Sequence, residues 1–332
     1  MYPSNKWRQT RKDRDLTPAE LYKKYKFKPR LLSKKELDDF LKECAEEAAI
    51  ISNFRKGEEE VVDIFQPASF EEYVGQEDAK EILKIISKAA EKEQRSLPNL
   101  LITGSAGLGK TTLGKILLKD EEYTFADGNS VNTTYANLEG YAIIDEIHNV
   151  KPEICDSLNV ILDQNLLRII GCTTNPGMLP SPFRSRFRTI NLIPYAVENL
   201  IDIMQNVLVR KKTQTVDRPF LEQIAIRSRQ TPRTALKTLS FMMDIMVVNE
   251  APSLTKEIFD RALGMIGMDS EGLLPIDRRY LDAFPDNGQA VGLQYLSAVT
   301  GIDKETIEEE IEPYLMNLKR LNRSSRGRVL VR

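Results

Sequence analysis

Residues Gly104-Ser105-Ala106-Gly107-Leu108-Gly109-Lys110-Thr111 constrain this chain more than any other stretch. Their spacing, G-x-x-x-x-G-K-[ST], is that of a P-loop. The apolar run Leu100-Leu101-Ile102-Thr103 stands before it and reads as a buried strand; Thr112-Leu113-Gly114-Lys115-Ile116-Leu117-Leu118 stands after it and reads as a helix. In that context the glycines let successive backbone N–H groups curl around phosphate oxygens. The helix N-terminus adds partial positive charge. Residues 104–109 would form the cradle, with Thr112 opening the helix behind it. Lys110 would reach the β- and γ-phosphates, and Thr111 would place its hydroxyl on Mg²⁺.

A second motif supports the first. Tyr141-Ala142-Ile143-Ile144-Asp145-Glu146 is an apolar strand ending in two acids. Asp145 is placed to hold Mg²⁺, commonly through water. Glu146 is then the group to polarise a water that attacks the γ-phosphate. Two acids at the end of an apolar run are common solvated strand ends; downstream of a P-loop they carry chemistry.

The next strand, Leu167 to Cys172, is expected beside the strand 141–146, with Thr173-Thr174-Asn175 at its tip. A polar side chain there can touch the γ-phosphate or orient the water. Pro182-Phe183 marks a turn before Arg184-Ser185-Arg186-Phe187. An arginine projecting from such a turn can cross to a neighbouring subunit and neutralise charge on its nucleotide. Gln230-Thr231-Pro232-Arg233 opens a helix, from which Arg233 can fold onto the γ-phosphate and couple nucleotide state to domain angle. Each arginine alone is more often a surface ion pair, and it is their order after the two phosphate motifs that gives them weight.

The chain of 332 residues has room for two or three domains. It carries 47 basic against 49 acidic residues, so any nucleic-acid site must come from local clustering. The three cysteines, Cys44, Cys155 and Cys172, lack metal-ligand spacing and fit structural thiols in a reducing, cytoplasmic compartment. A lone histidine, His148, excludes sites built on several imidazoles. No apolar run approaches a membrane span, and the N-terminus has no secretory core.

Four regions follow. Residues 1–65 form a basic extension: Met1 to Lys35 hold twelve Lys/Arg against three Asp/Glu, interleaved with Trp7, Tyr22, Tyr25 and Phe27. Ser33-Lys34-Lys35-Glu36 looks like a capping box opening a helix over about 34–55. Such an arm suits DNA or an acidic protein partner, or a solvated tail packing one helix on the core. Residues 66–195 alternate strands and helices, as in an α/β domain with a largely parallel sheet. Residues 196–270 read as a helical lid, with Leu200, Ile203, Met204 and Val207 at helical spacing. Residues 271–332 are compact and helical, ending in a strand or wing at Arg328-Val329-Leu330-Val331.

These residues together resemble the AAA+ ATPases, and more closely the RuvB family, ring motors of Holliday-junction branch migration. The resemblance covers about 66–332. Phe70-Glu71-Glu72-Tyr73-Val74-Gly75-Gln76 resembles the family's adenine-gripping segment, which implies Tyr73 and Val74 at the base. Asp145-Glu146-Ile147-His148 resembles its Walker B motif, and Gly171-Cys172-Thr173-Thr174 its sensor 1 strand, which puts the sensor at Thr174. Pro182 to Phe187 resembles the arginine-finger region, leaving Arg184 and Arg186 as candidates, and Thr231-Pro232-Arg233 resembles sensor 2. Asp277-Arg278-Arg279-Tyr280-Leu281, Glu312-Pro313-Tyr314-Leu315 and Arg326-Gly327-Arg328-Val329 resemble its winged-helix domain. By that likeness Arg326 and Arg328, with Arg323, would lie on DNA phosphates.

The resemblance implies a DNA-dependent ATPase using ATP and Mg²⁺, assembled as a homo-oligomer, by likeness a hexamer. It also has departures. The family carries a β-hairpin between Walker B and sensor 1 that docks its partner RuvA. Here Leu162-Asp163-Gln164-Asn165-Leu166 leads almost directly into the sensor strand, which puts RuvA docking in doubt. Two functions stay open at the level of sequence: a translocating motor, and an ATP-switched helicase or clamp loader.

Overall fold

The computed structural model describes residues 66–211, 215–285, 288–324 and 326–331. The basic extension, its expected helix over 34–55 and Cys44 lie outside the described residues.

The first part is a five-stranded sheet with helices on both faces. Helix α1 (Glu77–Lys92) precedes β1 (Leu100–Thr103), and α2 (Lys110–Leu117) follows it. Then come β2 (Tyr123–Asp127), α3 (Gly128–Thr134), β3 (Gly140–Asp145), α4 (Pro152–Asp163), β4 (Leu167–Thr173) and β5 (Arg188–Asn191). The spatial order is β2-β3-β4-β1-β5, and every pairing is parallel. A parallel sheet covered on both faces reads as continuous apolar runs rather than alternation. That is why Leu100-Leu101-Ile102-Thr103 is buried at every position, whereas the edge strand β2 is largely exposed. β4 lies beside β3, as the sequence leads one to expect.

One face of the sheet packs on α1 and α2 through Leu83, Ile86, Leu113 and Ile143. The other packs on α4 through Cys155, Leu158, Ala142 and Ile144. Both described cysteines, Cys155 and Cys172, are buried free thiols. Burial pushes the Cys155 thiol up to about 11 and the Cys172 thiol up as well, so both stay protonated.

The helices that follow are α5 (Val197–Lys211), α6 (Arg218–Arg227), α7 (Pro232–Val248) and α8 (Lys256–Ile266). On α5, Leu200, Met204 and Val207 are buried, and Ile203 packs half-buried against the same core. This lid has no core of its own: its apolar side chains are continuous with the α1–α2 face of the sheet.

The last part does have a separate core, around Tyr280, Leu296, Ile307, Leu315 and Leu321. It contains α9 (Pro275–Asp282), α10 (Leu293–Thr300), a π-helical turn at Ile307–Ile311 and α11 (Glu312–Asn317). Strands β6 (Leu321–Ser324) and β7 (Gly327–Leu330) pair antiparallel, and Val291 bridges to Arg328. Helices backed by this small sheet make a winged helix. No helix among the described residues is long and apolar enough to cross a membrane.

Candidate nucleotide site and wing

The chain leaves β1 at the sheet's carboxyl end, where the order switches from β1 to the distant β2. Crevices at such switch points are where open α/β sheets bind ligands. The loop after β1 turns on Gly107 and Gly109, with φ of 79° and 92°. Both positions are also crowded. A Cβ on Gly109 would stand 2.7 Å from the Tyr73 hydroxyl, and one on Gly107 would stand 2.9 Å from the Cβ of Arg233. The loop is thus wedged between the segment before α1 and the start of α7. No side chain caps α2, so its first N–H groups are left for an anion.

Lys110 is buried, and its ammonium donates to the carbonyls of Gly104 (2.9 Å) and Ser105 (3.1 Å). Burial lowers its pKa, opposed chiefly by the negative charge of Glu146. Thr111 donates to Asp145 Oδ1 at 3.0 Å. Two hard oxygens from adjacent elements at one phosphate cradle fit Mg²⁺.

Glu146 has φ 43° and ψ 51°, a left-handed conformation costly for a residue with a side chain. The turn carries its carboxylate off the end of β3 towards the tip of β4. There Glu146 Oε2 accepts from both the N–H and the hydroxyl of Thr174, each at 3.3 Å, and lies 3.2 Å from His148 Nδ1. Burial raises the Glu146 pKa, but the His148 hydrogen bond, Lys110 and the Thr174 N–H outweigh it and hold the carboxyl below its ordinary value. Glu146 is therefore ionised across the neutral range. As its folded pKa is depressed, the stability these partners contribute is present above the ordinary carboxylate range and lost as pH falls through it. The hydrolysis rate should accordingly show no carboxylate titration near neutrality. An acid limb assigned to a carboxylate in a pH–kcat profile between pH 6 and 8 would move the base elsewhere.

Three residues of this site carried no role in the sequence reading. His148 is buried with Nδ1 2.9 Å from Thr173 Oγ1, and hydrogen bonding to Glu146 raises its pKa. Tyr195, beyond β5, donates to the Tyr73 hydroxyl at 3.2 Å; Tyr73 in turn donates to the Leu108 carbonyl at 3.2 Å. Tyr73 is therefore buried beneath the P-loop, while Val74 beside it is half-buried. Gly128 opens α3 directly against Glu146: a Cβ there would stand 2.3 Å from the Glu146 carbonyl oxygen. The only signal in the chain is a glycine following Asp127 at a strand end. Gly128→Ala should shift Glu146 and lower kcat by about a hundredfold, the cost of an ångström-scale misplacement, with ATP affinity retained. Parallel kcat and nucleotide-binding measurements check this.

Arg233 opens α7 with its backbone N–H 3.4 Å from the Gly107 carbonyl and its side chain exposed. Arg229 and Gln230 just before it are both left-handed, at φ 56° and 58°, and swing the chain so that α7 starts on the P-loop.

The segment expected as a turn at Pro182-Phe183 is instead one helical turn, Ser181–Arg184. Pro182 is tolerated because the first helical turn needs no N–H donor. Phe183 is fully buried and meets Phe187 edge-on at 5.1 Å, which gives the arginines a firm footing. Arg186 makes a two-pronged pair with Asp163 at 2.9 and 2.8 Å. Arg184 is exposed and donates to the Pro176 carbonyl at 3.1 Å.

In the wing the arginines divide. Glu312 is fully buried and accepts from the Tyr280 hydroxyl at 2.6 Å, from Arg328 at 2.9 Å and from Arg323. Arg328 also reaches Glu308 at 2.7 Å. Two of the three arginines expected on DNA phosphates are thus engaged within the wing: Arg323, 39% exposed at its side chain, and Arg328, 15% exposed, both pair with Glu312, because a buried carboxylate needs paired charge. Arg326 stands exposed at the β6–β7 turn, and Arg323 is exposed as well. Glu312→Ala would leave Glu308 as the one carboxylate for both guanidinium groups and should cost about 3 kcal/mol, the low end for a broken buried pair because that partner remains and Arg323 reaches solvent. Denaturant unfolding measures it.

Between α4 and β4 lie only Gln164, Asn165 and Leu166. No hairpin stands there.

Residues 65–169 match the family described as the Holliday junction DNA helicase RuvB P-loop domain, and residues 270–332 match the RuvB C-terminal winged helix domain. The chain is 30% identical over 295 residues to the Holliday junction branch migration complex subunit RuvB of Campylobacter fetus subsp. fetus (strain 82-40), covering 80% of this chain and 86% of that protein. It is 31% identical over 296 residues to the same subunit of Wolbachia sp. subsp. Brugia malayi (strain TRS), covering 80% and 90%. Among solved structures it is similar to the Thermotoga maritima RuvB Holliday junction branch migration motor, with a TM-score of 0.75 at 30% identity over 81% of this chain and 96% of that one. With relatives at this identity matched along most of their length, and with separate matches to the P-loop and winged-helix parts, this chain belongs to the RuvB family.

Proposed function

We infer that this chain is an ATP-dependent DNA motor of the RuvB type, which hydrolyses ATP and uses the cycle to move or branch-migrate DNA. The observation that carries the reading is the convergence of Lys110, Thr111, Asp145, Glu146 and Thr174 at one end of the sheet, with Arg233 against the same loop. A loader would use the same fold, but the relatives matched through both the P-loop and the winged helix are branch-migration subunits.

The division of labour follows from the geometry. The α2 N-terminus and Lys110 hold the phosphates, and Val74 and Tyr73 border the base. Thr111 and Asp145 would hold Mg²⁺, which neutralises phosphate charge when bound. Glu146 takes up the water's proton as the water's oxygen bonds to the γ-phosphorus and the β–γ bridging P–O bond breaks, releasing ADP and phosphate, and Thr174 orients Glu146. Arg233 senses the γ-phosphate from the lid. A neighbour's Arg186 or Arg184 supplies the remaining positive charge, so the active form is a homo-oligomer, a hexameric ring by family likeness. DNA contacts the exposed wing tip at Arg326. The chain divides into the extension (1–65), the ATPase domain (66–195), the lid (196–270) and the winged helix (271–332). The direct passage from α4 to β4 removes the docking element for RuvA, so a different partner, engaged through the extension, would bring the motor to DNA. The setting is the bacterial cytoplasm, where the free thiols stay reduced.

ATP-driven branch migration of a synthetic four-way junction by the purified chain tests this reading. Lys110→Ala should weaken ATP binding by about tenfold to a hundredfold and abolish migration. Unchanged ATP affinity would remove Lys110 from the phosphate site. ATP hydrolysis without any movement of junction or duplex would favour the loader.

A further inference from the structure

Thr174 has a second acceptor that comes from the winged helix. Its hydroxyl, 3.3 Å from Glu146 Oε2, is also 3.3 Å from Glu309 Oε1. Glu309 lies on the π-helical turn Ile307–Ile311, a rare local geometry that recurs at functional positions. The residue after it reaches the other side of the nucleotide site. The Glu310 carbonyl accepts from Arg229 at 3.2 Å, and Arg229 also pairs with the buried Asp277. Four residues beyond Arg229 is Arg233, whose Cβ abuts Gly107 of the P-loop. One turn of the DNA-binding domain therefore touches both the tip of the sensor strand and the turn that sets α7 on the P-loop.

We propose that Glu309 is a positioning residue that restrains ATP hydrolysis by holding Thr174, and that movement of the winged helix on DNA releases it. This rests on the reading of Thr174 and Glu146 given above. While Glu309 shares the Thr174 hydroxyl, that hydroxyl is divided between two carboxylates. A second negative charge also stands where the γ-phosphate would draw near. Withdrawal of the turn returns Thr174 to Glu146 alone and removes the repulsion. The same withdrawal strains the Arg229 contact, so the sensor strand and the lid respond together. The winged helix thereby reports DNA engagement to the catalytic residues within a single chain.

The test is steady-state ATP hydrolysis by the full chain, with and without duplex DNA, for wild type, Glu309→Gln, Glu309→Ala and the neighbouring control Glu310→Gln. Both Glu309 variants should raise the DNA-free kcat by about threefold to tenfold, the worth of one ordinary hydrogen bond, as suits a hydroxyl shared between two acceptors, with the KM for ATP little changed. The DNA-stimulated rate should stay at the wild-type level, so the stimulation ratio falls by the same factor. Glu310→Gln should behave as wild type, because Glu310 acts through its carbonyl. A domain merely loosened by mutation would not give this split between kcat and KM. A DNA-free kcat for Glu309→Gln equal to or below wild type overturns the proposal while leaving the motor intact. A wild-type chain that hydrolyses no ATP even with DNA overturns both the proposal and the reading beneath it.

Discussion

Glu146→Gln should bind ATP like the wild type and hydrolyse it about a hundred to ten thousand times more slowly, the range lost with a general base. The amide keeps the shape and still accepts from Thr174, so the left-handed turn at residue 146 is retained. What disappears is the anion that His148 and Lys110 hold ionised. ATP should consequently persist on the assembled form. Single-turnover hydrolysis and nucleotide retention on the particle measure the two effects separately. Hydrolysis at the wild-type rate would take Glu146 out of the reaction, and lost ATP affinity would make it a binding group instead.

Arg186→Ala should lower hydrolysis by about a thousandfold to a hundred-thousandfold if it is the charge a neighbouring subunit supplies. In a single chain its guanidinium is engaged by Asp163. Acting in trans therefore means exchanging a solvent-screened carboxylate for a triphosphate, a favourable exchange for a guanidinium facing higher charge density. Mixing Arg186→Ala with Glu146→Gln subunits should restore ATPase activity, because a site shared between the two can combine an intact Glu146 with an intact Arg186. No recovery at any ratio, with recovery appearing for Arg184→Ala mixtures, would assign the finger to Arg184. Buried Phe183 anchors the turn independently of either arginine, so both variants keep it folded.

Much of the fold was legible because its signals are local. Leu100-Leu101-Ile102 is an unbroken apolar run, as suits a strand covered on both faces, and the glycine spacing that follows imposes the loop. Pro232 marked the start of α7 for the same kind of reason: it fits the first helical turn and little else. The wing was harder to read. Arg323, Arg326 and Arg328 are alike in sequence, and nothing near them says which are paired. Their separation depends on Glu312, buried among helices packed by Tyr280 and Leu315. Gly128 was invisible as a site residue because its importance lies in the carbonyl of Glu146 pressed against it, eighteen positions away in the chain.

By itself the sequence determined the phosphate cradle, the acids at the end of β3, the parallel α/β layer and the lid and wing that follow. Each is encoded in a contiguous run whose periodicity or spacing has one economical physical solution. Only the tertiary structure decided that Thr174 divides its hydroxyl between Glu146 and Glu309, that Arg323 and Arg328 pair with Glu312, and that the P-loop is clamped between Tyr73 and Arg233. Those contacts join residues from 11 to 135 positions apart, and pairing over such separations is set by how the cores pack, which no local pattern records.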